Sequence, residues 1–446
     1  MRRTGRQPHT HSARILTAGA RTSVRSYSRE TVVAGTSETA PARDSARPAP
    51  GAFGAAALGM VALLTVLLAG CASTPAKKQL TLTGNILIDG TNAVANGPQK
   101  DKVLWQYRTA AAAMRHGDFS LAREYLGDAL TTLQGIYGPD SNAKKARGYF
   151  HAESKKTFIG EPYERSMAYI YRGILYWMDG EPDNARACFR SAEFEDSDTE
   201  KHEYAGDWVL PDYLEGLASA KLGGDGSDAF KRAQASAKNI KLPEYNPKAN
   251  LLIFVEFGPG PTKYATGQYR QELRFNVGAS PVNQAEIKVD SLEFPVAPTD
   301  DVWFQASTRG GRAMDHILGH KAVFKSATDT AGNIAMIGGL STAVMSHDRT
   351  AQEVGLGIAV AGLLSKAVSA ATTPEADTRA WDNLPRYLSF ASLAVSPGVH
   401  TITVDFKDPA GQVIPTFRKT LNVAVPADGK DKVIFVSDQS TTPQDL

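Results

Sequence analysis

The sequence predicts an α+β protein in which a helical half precedes a strand-rich half. Between residues 100 and 245, apolar and small residues recur at helical spacing, and part of that pattern is repeated. After residue 250, short apolar runs alternate with turns rich in Pro and Gly, which is typical of strands. A Gly/Ala-rich stretch at about residues 310–372 predicts a helical hairpin inserted into the strand-rich half.

The composition supports folded domains and argues against a nucleic-acid binder. The chain has 446 residues, of which 42% are hydrophobic and 22% charged, enough for the cores of two or three domains. Residues 1–70 contain nine Arg, no Lys and three acidic residues, so the remaining chain has a small acidic excess. Because nucleic-acid-binding proteins display clustered positive charge, we expect no nucleic-acid partner.

The N-terminal segment predicts a lipoprotein signal sequence. Ala55–Leu68 is an apolar run with the length of a signal-peptide core, and it is short for a membrane span of about 20 residues. It ends in Leu68-Ala69-Gly70-Cys71, which matches the lipobox of bacterial lipoproteins. We therefore expect residues 1–70 to be a signal sequence with a misassigned upstream extension. Cys71 is then the lipidation site, carrying acyl chains such as palmitate.

Lipidation predicts the location of the mature protein. Ala72 and Ser73 lack the Asp that commonly retains lipoproteins in the inner membrane, so we expect the periplasmic face of the outer membrane. In a cell with one membrane, the cell membrane is expected instead. The polar residues of 71–99 predict a lipidated tether. With Cys71 modified, Cys188 is the only other thiol, so an intramolecular disulfide is excluded.

The helical half, residues 100–245, contains a repeat that resembles the tetratricopeptide repeat. Gly173 and Ala185 leave room where paired helices cross, and large residues fill the adjoining gaps. An ordinary helical bundle is the alternative. The clearest unit consists of Tyr169, Gly173, Tyr176, Gly180, Ala185, Phe189 and Ala192. Aromatic residues are dense here, and a concave groove would use some of them to bind a partner, although most are expected in the core. The candidates for partner binding are Tyr163, Tyr169, Tyr171 and Trp177.

The strand-rich half, residues 250–446, predicts a β-sandwich-like domain of seven or eight short strands. The predicted strands include Leu251–Phe257, Ala285–Val289, Val302–Ala306, Val399–Phe406 and Val413–Val425. In the inserted hairpin, Gly339 and Gly357 belong to small-residue stripes that allow close helix packing. Insertion of this hairpin into a membrane, or self-association through it, remains an alternative.

A search for catalytic and metal-binding patterns gives no strong candidate. His316 and His320 are spaced for zinc on one helix face, but the zinc-protease glutamate and an evident third ligand are lacking. We therefore predict no catalytic residues, no metal and no cofactor. The competing hypothesis is an envelope enzyme with its site between the two halves, near Glu256, Lys263 and Trp381.

Four motifs together resemble an uncharacterised family of bacterial lipoproteins. They are the lipobox at Cys71, the run Gly160–Arg165, the run Phe254–Lys263 and the run Ala376–Pro385. The resemblance implies a tetratricopeptide-like half joined to a strand-rich half. Some family members are associated with outer-membrane lipoproteins that stimulate peptidoglycan synthases. The function so implied is a lipid-anchored cell-envelope adaptor or scaffold that binds other envelope proteins.

Overall fold

The computed structural model describes residues 80–137, 153–197, 206–238, 240–308 and 375–440. These residues belong to one compact unit. Helices dominate its first half and sheets its second half, which confirms the predicted α+β class. The inserted hairpin predicted at about 310–372 lies outside the described residues.

Helices follow one another through the first half and pack against their neighbours in the chain. Gly117, with a φ of 78°, ends one helix in a left-handed turn that only glycine adopts easily, and the next helix begins at Phe119. The helices are α1 Ile86–Asn96, α2 Lys102–His116, α3 Phe119–Tyr137, α4 Pro162–Met178, α5 Pro182–Asp196, α6 Leu210–Lys221 and α7 Ser227–Ser236.

Helix α1 corrects the predicted tether over residues 71–99. The Asn85 side chain accepts hydrogen bonds from the N–H groups of Leu87 and Ile88, so the polar stretch contains a capped helix start. A Cβ added at Gly90 would lie 1.8 Å from Oγ1 of Thr109, which shows that α1 packs closely on α2. The described residues of this segment therefore belong to the folded unit.

Two helix pairs cross at a glycine that faces a phenylalanine ring. A Cβ added at Gly173 in α4 would lie 2.6 Å from Cε1 of Phe189 in α5. The same arrangement occurs between Gly216 in α6 and Phe230 in α7, where the distance would be 2.9 Å. Both crossings therefore depend on the absence of a side chain at the glycine.

Within the described ranges, the strands form two four-stranded sheets and a separate hairpin. The first sheet has the order β10-β1-β7-β6, the second has the order β5-β4-β8-β9, and β2 pairs with β3. In the first sheet, β1 runs parallel to β10 and antiparallel to β7. The strands are β1 Leu251–Pro259, β2 Thr262–Thr266, β3 Glu272–Asn276, β4 Gln284–Val289, β5 Leu292–Val296, β6 Asp300–Asp301, β7 Pro385–Leu393, β8 Gly398–Lys407, β9 Lys419–Val425 and β10 Lys432–Ser437.

The first sheet is buried on both faces and joins the two halves. Ile253 and Val255 of β1 belong to a core shared with the second sheet. Leu252 and Phe254, which alternate with them, belong to the core of the helices. The predicted boundary near residue 250 therefore separates two kinds of secondary structure but not two independent cores.

Two of the predicted strands are wrong. Val302–Ala306 is not a strand but lies in the short helix α8, Val302–Ser307, because the Asp301 carboxylate caps the N–H groups of Trp303 and Phe304. The strand predicted over Val413–Val425 begins only at Lys419. Pro415 precludes a ladder hydrogen bond and instead opens a 3₁₀ turn.

Candidate functional site

Three of the sequence motifs meet where the helical half contacts the strand-rich half. Glu164 lies in the first turn of α4, Lys263 lies in β2, and Trp381 lies in the segment that leads to β7. Close backbone contact brings the last two motifs together. The N–H of Gly260 donates to the carbonyl of Leu384 at 3.0 Å, and a Cβ at Gly260 would lie 2.5 Å from that oxygen. The site is therefore assembled from segments far apart in the chain.

The Glu164 carboxylate is fully buried and accepts hydrogen bonds from all three motifs. Its Oε1 accepts from the N–H of Trp381 at 2.7 Å, and its Oε2 accepts from Lys263 Nζ at 2.5 Å. Oε2 also accepts from the N–H of Glu161 at 2.6 Å, which stabilises the start of α4. Glu164 thus caps its own helix and binds the strand-rich half with the same carboxylate.

Lys263 is the partner of Glu164 and is equally enclosed. Its side chain is 1% exposed, and Nζ also donates to the carbonyl of Arg379 at 3.0 Å. The rings of Phe158 and Tyr163 lie 5.5 and 5.7 Å from Nζ. Burial lowers the pKa of Lys263 and raises the pKa of Glu164, and the ion pair opposes both shifts.

Arg379 forms the outer part of this ion-pair network. Its guanidinium pairs with Asp377 in the same segment and with Asp101 at 2.7 Å, at the start of α2. It also donates to the carbonyls of Lys100 and Lys156 at 3.2 and 3.0 Å. Arg379 therefore fixes the segment before β7 to two parts of the helical half. We refer to Glu164, Lys263, Asp101, Asp377 and Arg379 as the interhalf clamp.

A second buried polar cluster surrounds Glu256 in β1. Arg115 of α2 donates through Nε to Glu256 Oε1 at 2.6 Å, and the Tyr171 hydroxyl donates to Oε2. Arg115 also donates to Gln439 at 3.0 Å. Burial and the nearby Glu256 charge raise the pKa of Tyr171 well above its ordinary value. This cluster also links a helix of the first half to the first sheet.

The Trp381 ring lies between the clamp and the Glu256 cluster. It stacks on Tyr107 with centroids 4.5 Å apart and meets Tyr171 edge-on at 5.8 Å. Trp381 is fully buried, so its ring fills space in the core between the halves. The two polar clusters are thus separated by aromatic packing.

Beside the clamp, an open cleft of about 530 Å³ reaches the protein surface. Trp105 and Arg108 of α2 line it, and the guanidinium carbon of Arg108 lies 5.2 Å from the centre of the Trp105 ring. Arg108 also donates to the carbonyl of Ala380 at 2.9 Å and to Asp382 at 2.8 Å. Other polar groups at the cleft include those of Lys100, Asp101, Ser154 and Thr262.

The four aromatic residues predicted to line a partner-binding groove are in the core. The exposed fractions of Tyr163, Tyr169, Tyr171 and Trp177 are 1%, 7%, 0% and 1%. All four lie in α4, which packs on the first sheet, and this sheet covers the face that an isolated helical array would leave open. This corrects the groove hypothesis, because buried side chains cannot make direct contact with a partner.

The residues of the competing enzyme hypothesis are only partly brought together. Lys263 and Trp381 meet through Glu164, whereas Glu256 lies in the neighbouring cluster. Arg115 was not among the residues predicted from the sequence. A basic residue directly after the small and apolar run Ala110–Met114 could have indicated it. A charge at such a position faces the core only if it has a buried partner.

Several predicted sites lie outside the described residues, namely the lipidation site Cys71, the hairpin glycines Gly339 and Gly357, and the pair His316 and His320. Within the described ranges, no group of three or more His, Cys, Asp and Glu is arranged to hold a metal ion. Nor does any helix of those ranges have the length and apolar character needed to cross a membrane.

No family model, no curated protein and no solved structure matches the chain.

Proposed function

We propose that this protein is a lipid-anchored cell-envelope adaptor that binds other envelope proteins, in a process linked to peptidoglycan synthesis. The observation that supports this proposal is that the charged residues of the motifs bind other groups of the protein itself. Lys263 and Arg379 direct their donors to Glu164, Asp377, Asp101 and backbone carbonyls of the protein itself. The motifs thus hold two halves together as one scaffold, and this favours an adaptor over an enzyme with a site at Lys263.

We further propose that the helical half is a tetratricopeptide-like array and that the two four-stranded sheets form a β-sandwich. The repeated glycine-to-phenylalanine crossings at Gly173 and Gly216 support the first assignment. The core common to residues of both sheets, such as Ile253 and Val404, supports the second. A helical array of this kind offers an extended surface for protein partners.

The partner surface that we propose is the outer face of the helices around Phe194. Phe194 of α5 is 75% exposed and Leu222, after α6, is 44% exposed, so both present apolar surface from the helical half. They replace the four buried aromatic residues as candidate contacts. Val399 in β8 is 74% exposed and provides a matched position on the strand-rich half.

Site-specific photocrosslinking tests this proposal. A photoreactive amino acid at position 194 of the full chain, expressed in its native cells, should give a discrete adduct with an envelope protein. The same amino acid at position 399 should not give that adduct. An adduct at position 399 alone, or none at either position, would contradict an adaptor that binds through its helices.

The anchor itself is tested at Cys71. In the full chain, Cys71→Ser should abolish the acyl mass and release the protein from the membrane fraction, because the lipid is the proposed anchor. Cys188→Ser is the matched control and should remain membrane-bound, since Cys188 is buried in α5. A wild-type chain without acyl mass, together with membrane retention of Cys71→Ser, would rule out this anchor.

A further inference from the structure

We propose that the open cleft beside the interhalf clamp is a binding site for an uncharged saccharide. This site would be additional to the protein-binding surface around Phe194 and does not depend on the adaptor function. The inference rests on the size of the cleft, its charge balance, and the combination of a tryptophan with hydrogen-bonding groups.

The size and the apolar part of the cleft fit a small polar ligand. Its volume of about 530 Å³ lies within the range of about 300–1,000 Å³ that is usual for small-molecule sites. Leu104 and Ala380 are buried apolar residues at the cleft, and the half-buried Trp105 adds aromatic surface. A pyranose ring has an apolar face of C–H groups that packs well on such a surface.

Three of the four cations at the cleft, all except Lys100, are already paired with carboxylates, which disfavours a strongly anionic ligand. Arg108 pairs with Asp382, Arg379 with Asp101, and Lys263 with Glu164. At these three cations, an incoming phosphate or carboxylate would have to displace the carboxylate that is already bound. We therefore infer a ligand without net charge, to which Lys100 donates hydrogen bonds.

The remaining capacity for hydrogen bonds suits neighbouring hydroxyl groups. The Asp382 side chain is 51% exposed, so its carboxylate can accept further hydrogen bonds. Lys100 donates one hydrogen bond to the carbonyl of Ser154 at 2.7 Å, and its ammonium group has three hydrogens. The Thr262 hydroxyl at the cleft is both a donor and an acceptor.

Calorimetric titration of the full chain tests the site. The probes are two neutral trisaccharides, one of N-acetylglucosamine and one of glucose, together with inorganic phosphate. We expect saturable binding of at least one trisaccharide and none of phosphate. Trp105→Ala should weaken saccharide binding about tenfold, through the loss of aromatic contact.

The matched control is Trp303→Ala. Trp303 is also half-buried and lies near an arginine, with Arg386 6.0 Å from its ring, but it does not line the cleft. Its replacement should leave saccharide affinity unchanged. Asp382→Asn keeps the shape of the side chain and should also weaken binding, which provides a second test if Trp105→Ala fails to fold.

Three results would overturn the proposal. They are the absence of binding to both trisaccharides, affinities of Trp105→Ala and Asp382→Asn equal to that of the wild type, and binding of phosphate in preference to saccharide. Photocrosslinking at position 194 should be unaffected by Trp105→Ala, so failure of this site is distinguishable from failure of the adaptor proposal.

Discussion

Lys263 and Glu164 illustrate how much a buried charge depends on its partner. Both side chains are almost completely removed from water, and Glu164 accepts hydrogen bonds from Trp381 and Glu161 in addition to Lys263. Removing a charge from water costs several kcal/mol, which the ion pair and its hydrogen bonds must offset. The pair therefore specifies which surfaces meet, because either charge left alone in the core would be unfavourable.

We expect Lys263→Met to lower the free energy of unfolding by about 3–5 kcal/mol, because it leaves the Glu164 carboxylate buried without its cation. Urea denaturation followed by circular dichroism measures the change. A second substitution, Glu164→Gln, removes the uncompensated charge and should restore part of the loss.

The control for this prediction is Lys231→Met. Lys231 pairs with Asp228 at 3.3 Å, but the two side chains are 75% and 88% exposed. Loss of an exposed pair should change stability by about 1 kcal/mol or less. Equal effects of Lys231→Met and Lys263→Met would contradict a structural role for the buried pair.

Asp300 should make the stability of the protein depend on pH. Its carboxylate is buried in β6 and accepts hydrogen bonds from the N–H groups of Val209 and Leu210 at the start of α6. Burial raises the pKa of Asp300 to about 7, from an ordinary value of 3.8. The folded state thus binds more protons than the unfolded state between these values. The contribution of Asp300 is complete below pH 3.8 and is lost as the pH rises through about 7.

Melting temperatures measured between about pH 5 and about pH 8 test this prediction. The wild type should lose stability across this interval, and Asp300→Asn should lose less, because its amide does not ionise. Asp228→Asn, at an exposed surface position, should follow the wild type. A pH profile of Asp300→Asn identical to that of the wild type would show that Asp300 does not titrate in this interval.

At the scale of elements, the α4–α5 crossing depends on Gly173. Because an added Cβ would lie 2.6 Å from the Phe189 ring, Gly173→Ala should destabilise the protein by about 1–3 kcal/mol. Gly173→Leu should have a larger effect. The free energy of unfolding in urea measures both.

The matched control is Gly127→Ala in α3. Nothing lies within 4 Å of a Cβ added at Gly127, so alanine should leave stability unchanged or raise it by up to about 1 kcal/mol through its helix propensity. If Gly173→Ala were as stable as Gly127→Ala, the two helices would have room to separate at the crossing.

The sequence predicted those elements whose periodicity is local. Gly173 was placed at a helix crossing from its spacing, and β1 was identified from the apolar run Leu251–Val255. The sequence did not predict that this strand would cover the helices. That long-range packing buries Tyr171 and Trp177, which periodicity alone left as candidates for an open groove.

The candidate site was predictable only in part, because its motifs are local in the sequence and its long-range contacts are not. The sequence singled out Lys263 and Trp381 through their motifs, and the structure brings them together at Glu164. Arg115 was missed because a single buried charge has no periodic signal, and its partner Glu256 is 141 residues away in the chain. Such pairs depend on tertiary structure, which short-range patterns do not encode.

At the scale of the whole molecule, the two halves share a core and are joined by buried ion pairs. Phe254 of β1 packs with Phe390 of β7, and both belong to the same core as the helices. Arg115–Glu256 and Glu164–Lys263 connect the halves at two points, one on each side of Trp381. Separation of the halves would expose both apolar surface and paired charges, so we expect them to unfold together.

Native-state hydrogen exchange in increasing urea tests this most directly. Amides of α4, in the helical half, and of β1, in the strand-rich half, should exchange through one opening reaction, with the same free energy and the same dependence on urea. Exchange of the α4 amides through an opening that leaves β1 protected would contradict the account, because the halves would then be separate folding units held together by weak contacts.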